Sequence, residues 1–178
     1  MESIYQPGSF QYKIRTAVID CAGILLVLLV PAAAHLTRLP VYFLEPMRIM
    51  MVIGILYTSR SNTYLLAIAL PLFSFLFSGH PFFIKMLIII SELSLNVLLY
   101  FYFIQKLGKP FLSMFLSILG SKIACYLIYW VVFSWAFVVE EGEVMFLLAQ
   151  LVVTTGLSMM VWKIGGKEQG AGAAGRRQ

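Results

Sequence analysis

The chain reads as an all-α, polytopic membrane protein: a compact bundle of six transmembrane helices with both termini in the cytoplasm. Three observations lead there. Of its 178 residues, 61% are hydrophobic and 12% are charged, whereas a soluble domain is about 45–50% apolar and about 25% charged. The apolar residues run in continuous stretches rather than alternating in and out, which excludes a transmembrane β-barrel. A bilayer-spanning helix takes about 20 apolar residues, so six occupy about 120 and leave no room for a separate soluble catalytic domain.

The spans are read at 16–35, 43–59, 63–79, 83–105, 111–139 and 144–163, making residues 1–163 one membrane domain. The first follows the polar leader MESIYQPGSFQYKIR. That leader is long and further spans follow, so span 1 reads as a retained helix rather than a cleaved signal peptide. Pro46, Pro81 and Pro110 stand at or just before the first turns of spans 2, 4 and 5, where a missing amide donor costs nothing. Pro71 falls inside span 3, where a kink is expected and a neighbouring helix must accommodate it. The tail at 164–178, rich in Gly and Ala and ending in charge, reads as a disordered cytoplasmic segment.

Orientation follows from the basic residues. With the N-terminus inside, Lys13, Arg15, Arg60, Lys106, Lys109, Lys163, Lys167, Arg176 and Arg177 are cytoplasmic, whereas Arg38, Arg48 and Lys85 are outside. The loop between spans 5 and 6 instead carries Glu140, Glu141 and Glu143. Lys and Arg near span ends decide topology, and here they place both termini in the cytoplasm. The net charge of +5 is thereby a membrane signature, and no nucleic-acid partner is expected.

Ionisable groups inside a membrane cost at least a few kcal/mol, so each is a candidate for function. Lys85, Glu92 and Asn96 are spaced by seven and four residues, which puts them on one stripe of span 4. Glu92 lies about 13 Å below the start of that span at 1.5 Å per residue. Gln150, Thr154 and Ser158 form a second stripe on span 6, and Lys122 shares a face of span 5 with Tyr126 and Tyr129. Arg48 enters from the outer end of span 2. A few polar groups among aromatic and aliphatic walls describe a small-molecule site opening outward. The competing reading makes Glu92 and Lys122 a structural ion pair, with Gln150 and the hydroxyls knitting helices together.

Asp20, in the inner half of span 1 near Lys13, Arg15 and Thr16, with Arg60 in reach from the second loop, reads as an interfacial ion-pair partner. Cys21 and Cys125 fall in apolar segments without a CxxC pairing and read as free thiols. His35 and His80 sit near outer span ends without a matching acid or thiol cluster, so no metal is expected. No Ser/His/Asp set, HExxH motif or phosphate-cradling glycine loop is present, so no enzyme and no cofactor are expected.

Residues 45–105, EPMRIMMVIGILYTSRSNTYLLAIALPLFSFLFSGHPFFIKMLIIISELSLNVLLYFYF, resemble the substrate-binding S components of energy-coupling-factor vitamin transporters. The resemblance rests on a proline-led second helix, a short basic turn, LPLFSFLFSGHP in the third helix and ISELSLN in the fourth. The C-terminal VMFLLAQLVVTTGLSMMVWK is similar to that family's last helix. The resemblance implies a protein of the bacterial cytoplasmic membrane that captures a vitamin or related nutrient from outside. It further implies partners: a membrane coupling subunit and two ATP-binding subunits. The family pocket, lined by helices 4, 5 and 6 and outer loops, maps onto Glu92, Asn96, Lys122 and Gln150, beside Arg48 and Tyr126. The family docks through small residues on helix 1, often AxxxA. The nearest match is Ala17 and Cys21, followed by Ala22 and Gly23, with Cys in place of the second Ala and Asp20 between them. The chain begins Met1-Glu2-Ser3, unlike the Met-His start of the transition-metal branch, so nickel and cobalt are disfavoured.

Overall fold

A computed structural model describes residues 10–37, 45–78, 83–133 and 150–164, and among them the regular structure is entirely helical. In order these are α1 (Phe10–Thr37), α2 (Pro46–Tyr57), α3 (Arg60–Ser78), α4 (Phe83–Leu107), α5 (Pro110–Phe133) and α6 (150–164). Three helices are long and apolar enough to cross a membrane, over Arg60–Phe77, Phe83–Leu107 and Pro110–Ile128. At 1.5 Å per residue these stretches measure about 27, 37 and 28 Å, against a hydrocarbon core of about 30 Å. The protein is accordingly membrane-embedded.

The chain divides into two compact units, Met1–Val97 and Leu98–Gln178. In the first, α1, α2 and α3 pack against one another pairwise. Their shared core is Val27 of α1, Met50 of α2, and Leu66 and Leu70 of α3, flanked by Ile19, Ile24, Leu26, Met47 and Ile53. Two glycines set how closely the helices approach. A Cβ on Gly23 would lie 3.2 Å from Leu70 and 3.5 Å from Met50, and one on Gly54 would lie 2.8 Å from Leu66. In lipid, helices gain nothing from hydrophobicity alone, so the side chains seated directly on these glycines are themselves a source of attraction. Pro71 lies inside α3 and is buried, covered as an interrupted helical ladder must be.

Polar contacts join the opposite end of this unit. Asn62 Nδ2 of α3 donates to Asp20 Oδ1 of α1 at 2.8 Å. The Arg15 guanidinium lies 4.5 Å from the centre of the Tyr57 ring, and that of Arg60 lies 5.9 Å from the Tyr64 ring. Asp20 is thus tied to an amide, a partner the sequence reading did not name. Ser59 starts α3, its Oγ accepting from Asn62 N at 3.2 Å, as an N-cap serine does.

The second unit holds the end of α4, α5 and α6. Gly108, at φ +63, ends α4 with its N–H on Ile104 O at 3.1 Å, the left-handed cap that glycine adopts without penalty. Pro110 then opens α5. A Cβ on Gly120 would meet the end of the Leu99 side chain at 3.1 Å, so Leu99 of α4 seats against the bare backbone of α5 there. α5 buries Ser113, Ser117 and Ser121 alongside Met114 and Ile118. Each of two serines folds back onto its own helix, Ser117 Oγ donating to Met114 O and Ser121 Oγ to Ile118 O. α6 buries Gln150, Thr154, Leu157, Ser158 and Val161.

α2 is shorter than its expected span of 43–59. It begins at Pro46 because Glu45 is in the left-handed region (φ 48, ψ 59), and it stops at Tyr57 because Thr58 is extended. Expectations for His80, for Glu140, Glu141 and Glu143, and for the tail from 165 onward fall outside the described residues, as do the side chains of His35 and Tyr129.

Candidate functional site

The site is best built from the start of α2. Glu45 is the residue before a proline, a position where helical geometry is disfavoured, and it takes the left-handed conformation. Its carbonyl accepts from Arg48 N at 2.9 Å and from Ile49 N at 3.1 Å, closing the first turn. Its side chain meanwhile turns onto that same turn, Oε2 lying 2.9 Å from Arg48 Nη1. A non-glycine residue held in this region costs on the order of 1–3 kcal/mol, and such residues cluster at functional sites.

Arg48 is buried, its side chain only 4% exposed. Its Nη2 forms an ion pair and hydrogen bond with Glu92 Oε1, joining α2 to α4 across 44 residues of sequence. One guanidinium therefore lies between two carboxylates, 16% and 19% exposed, and the cluster carries a formal charge of −1. The Glu92 contact has hydrogen-bond geometry and the Glu45 contact does not. Arg48 Nε and Nη1 are buried donors without a hydrogen-bond partner. Leaving buried donors unmet costs about 1–3 kcal/mol each, more on charged groups. Asn96, one turn further along α4, is fully buried, and Lys85 at the start of that helix is exposed.

The structure thus brings Arg48 and Glu92 together within the first unit, with Asn96 on the same helix as Glu92. Lys122, Tyr126 and Gln150 belong to the second unit. Lys122 is half-buried on α5, Tyr126 one turn on is 49% exposed, and Gln150 at the start of the described part of α6 is buried. Sequence reasoning missed Glu45. Its available signal was the Glu-Pro-x-Arg spacing, which sets an acid three residues before a base across a helix start. The serines of α5 were also missed, although Ser113, Ser117 and Ser121 repeat every four residues.

The small residues of α1 divide between two faces. Ala17, Cys21 and Ala22 are exposed, with Ile14, Val18, Leu25 and Leu29 on the same side of the helix. Gly23 turns inward onto Leu70 and Met50. Among the described residues no group of three His, Cys, Asp or Glu is placed to hold a metal ion. Comparisons with family models, with curated proteins and with solved structures find no match.

Proposed function

We propose that this chain is the substrate-binding membrane subunit of an energy-coupling-factor type transporter of the bacterial cytoplasmic membrane. It crosses the membrane six times with both termini inside and takes a vitamin-like nutrient from outside. It hands that nutrient inward with a coupling subunit and two ATP-binding subunits. The observation that carries this reading is the buried Arg48 with Glu45 and Glu92, a charged cluster on the outer side of the expected topology. Charge is kept inside a membrane where it has work to do, and here two nitrogens of the guanidinium, Nε and the ion-paired Nη1, make no hydrogen bond. Arg48, Glu92 and Asn96 of the first unit are the proposed ligand residues there, and Lys122, Tyr126 and Gln150 of the second unit are candidates to be tested separately. The exposed Ala17, Cys21 and Ala22 supply the proposed docking face, with the family resemblance of residues 45–105 as further support.

A second reading, an assembly factor with no ligand, draws on the same ion pair and on Asp20–Asn62 as ties between helices. The two separate on one purification. Tagged protein extracted gently from its own host should bring down a membrane coupling subunit and two ATPases, and native mass spectrometry should show a retained small molecule. A chain that emerges alone and empty from that experiment is not a transporter subunit.

A further inference from the structure

The end of the first unit away from Arg48 has a different electrostatic character, and it bears on which lipids lie against the protein. We propose that Arg15 and Arg60 hold the phosphate of an anionic phospholipid whose acyl chain lies along α3. This goes beyond the transport reading and needs only a membrane-embedded protein.

The charges are brought together from separate stretches of sequence. Arg15 of α1 lies over the ring of Tyr57, the last residue of α2, and Arg60 is the first residue of α3. Both guanidiniums therefore attend the short turn, Thr58-Ser59, that joins α2 to α3. The hydrogen bond from Asn62 to Asp20 fixes α3 against α1 a few residues further in, and Lys13 is exposed near the start of α1. Among the described residues at this end of the unit, three cations stand against one carboxylate, a formal charge of +2. That carboxylate already accepts from an amide. At the other end of α2, by contrast, Arg48 is matched by Glu45 and Glu92.

Tyrosines mark the depth of these cations. Tyr57 and Tyr64 lie beneath Arg15 and Arg60, and rings with a polar tip settle at headgroup level. A guanidinium over an aromatic face is attracted to it and oriented by it, and its planar fork of donors matches the oxygens of a phosphate.

The apolar surface that leads away from Arg60 suits a chain rather than a helix. Ser61, Leu65, Ile68, Leu72 and Leu76 are all exposed, and their spacing of three and four residues makes one stripe down α3. From Leu65 to Leu76 the stripe runs about 17 Å, close to half of a hydrocarbon core of about 30 Å. It consists of large aliphatic side chains, whereas a partner helix in lipid approaches through small ones. Head and chain contacts are thus continuous along one helix. On the proposed topology this end meets the cytoplasmic leaflet, whose anionic lipids attract basic residues flanking a span.

The test offers the full chain, in mild detergent, equal amounts of palmitoyl-oleoyl phosphatidylglycerol and phosphatidylcholine, which share their chains and differ in head charge. Native mass spectrometry should show phosphatidylglycerol retained at least fivefold over phosphatidylcholine. Arg15→Gln with Arg60→Gln should cut that ratio at least threefold. Lys85→Gln, which removes an exposed cation at the start of α4, should leave it unchanged. Thermal midpoints in phosphatidylcholine confirm that the variants are folded, and Arg60→Gln alone, at an exposed position, should lower the ratio in the same direction. Glycerol 1-phosphate, the head without its chains, should raise the thermal midpoint by less than half the shift given by phosphatidylglycerol. No preference in the wild type, an unchanged ratio in the arginine variants, or an equal fall in Lys85→Gln overturns the proposal. Full stabilisation by glycerol 1-phosphate marks a site for free phosphate and overturns it as well. Loss of a coupling subunit from the arginine variants at an unchanged lipid ratio assigns this end to a protein, with the same consequence.

Discussion

Arg48 is the residue on which most depends. Truncating it to Ala leaves Glu45 and Glu92 facing each other with no cation between them, and breaking a buried pair costs about 3–5 kcal/mol. Arg48→Ala should therefore lower the thermal midpoint of the purified protein, with Arg48→Met falling less because it refills the volume. Glu92→Ala tests function at the same place: ligand affinity should drop tenfold or more while the protein stays extractable. Unchanged affinity in Glu92→Ala would move the pocket away from the Arg48 cluster, and Gln150→Ala tests the second unit independently. Arg48 and Glu92 were both legible in the sequence because charge inside an apolar run is conspicuous. Their contact was not legible. Only the competing structural reading gave Glu92 an ion-pair partner, and it named Lys122, since nothing in a linear pattern says which of two distant cations a carboxylate will meet. Glu45 escaped notice because its role comes from a left-handed backbone, which periodicity does not encode.

At the scale of elements, α1 has two faces that a single bulky residue can tell apart. Gly23 is tightly enclosed, with the end of the Leu70 side chain 3.2 Å from where its Cβ would be. Gly23→Leu should cost about 1–3 kcal/mol by overpacking and show as a lowered thermal midpoint. Ala17 is exposed, so Ala17→Trp should leave the midpoint and ligand affinity intact while abolishing copurification of the coupling subunit. Loss of stability with an intact complex would remove Ala17 from the docking face. The stripe of small residues was visible in sequence, but which of them faced inward was not. Small residues satisfy an internal seam and an external one equally, and only the positions of Leu66, Leu70 and Met50 decide between them. Helix starts were more legible. Pro46 and Pro110 do open α2 and α5, because a residue without an N–H loses nothing in a first turn.

The whole molecule was legible as membrane-embedded and helical from composition alone, since no soluble core hides so large an apolar fraction. Three apolar helices of spanning length agree with that. The proposed six-span topology makes a direct prediction. In a background lacking Cys21 and Cys125, a cysteine placed at Gly142 should react with an impermeant thiol reagent added outside, and one placed at Gly108 should not. Strong outside labelling at Gly108 would invert the orientation, which rests on the distribution of Lys and Arg.

The brevity of α2 carries a consequence of another kind. Twelve residues rise about 18 Å, well short of a hydrocarbon core of about 30 Å. Its start is fixed by a proline and its end by an extended threonine, so the helix does not lengthen to suit its surroundings. Lipid chains are the softer material, and mismatch costs only fractions of a kcal/mol per ångström. On the proposed six-span topology, in which α2 crosses the membrane, the bilayer around the unit that contains it should therefore be locally thin, and acyl-chain length becomes a variable the protein feels. Reconstituted in phosphatidylcholine vesicles of increasing chain length, it should lose thermal stability steadily from 14-carbon to 22-carbon acyl chains, with Arg48 and its two acids drawn deeper below the headgroups at each step.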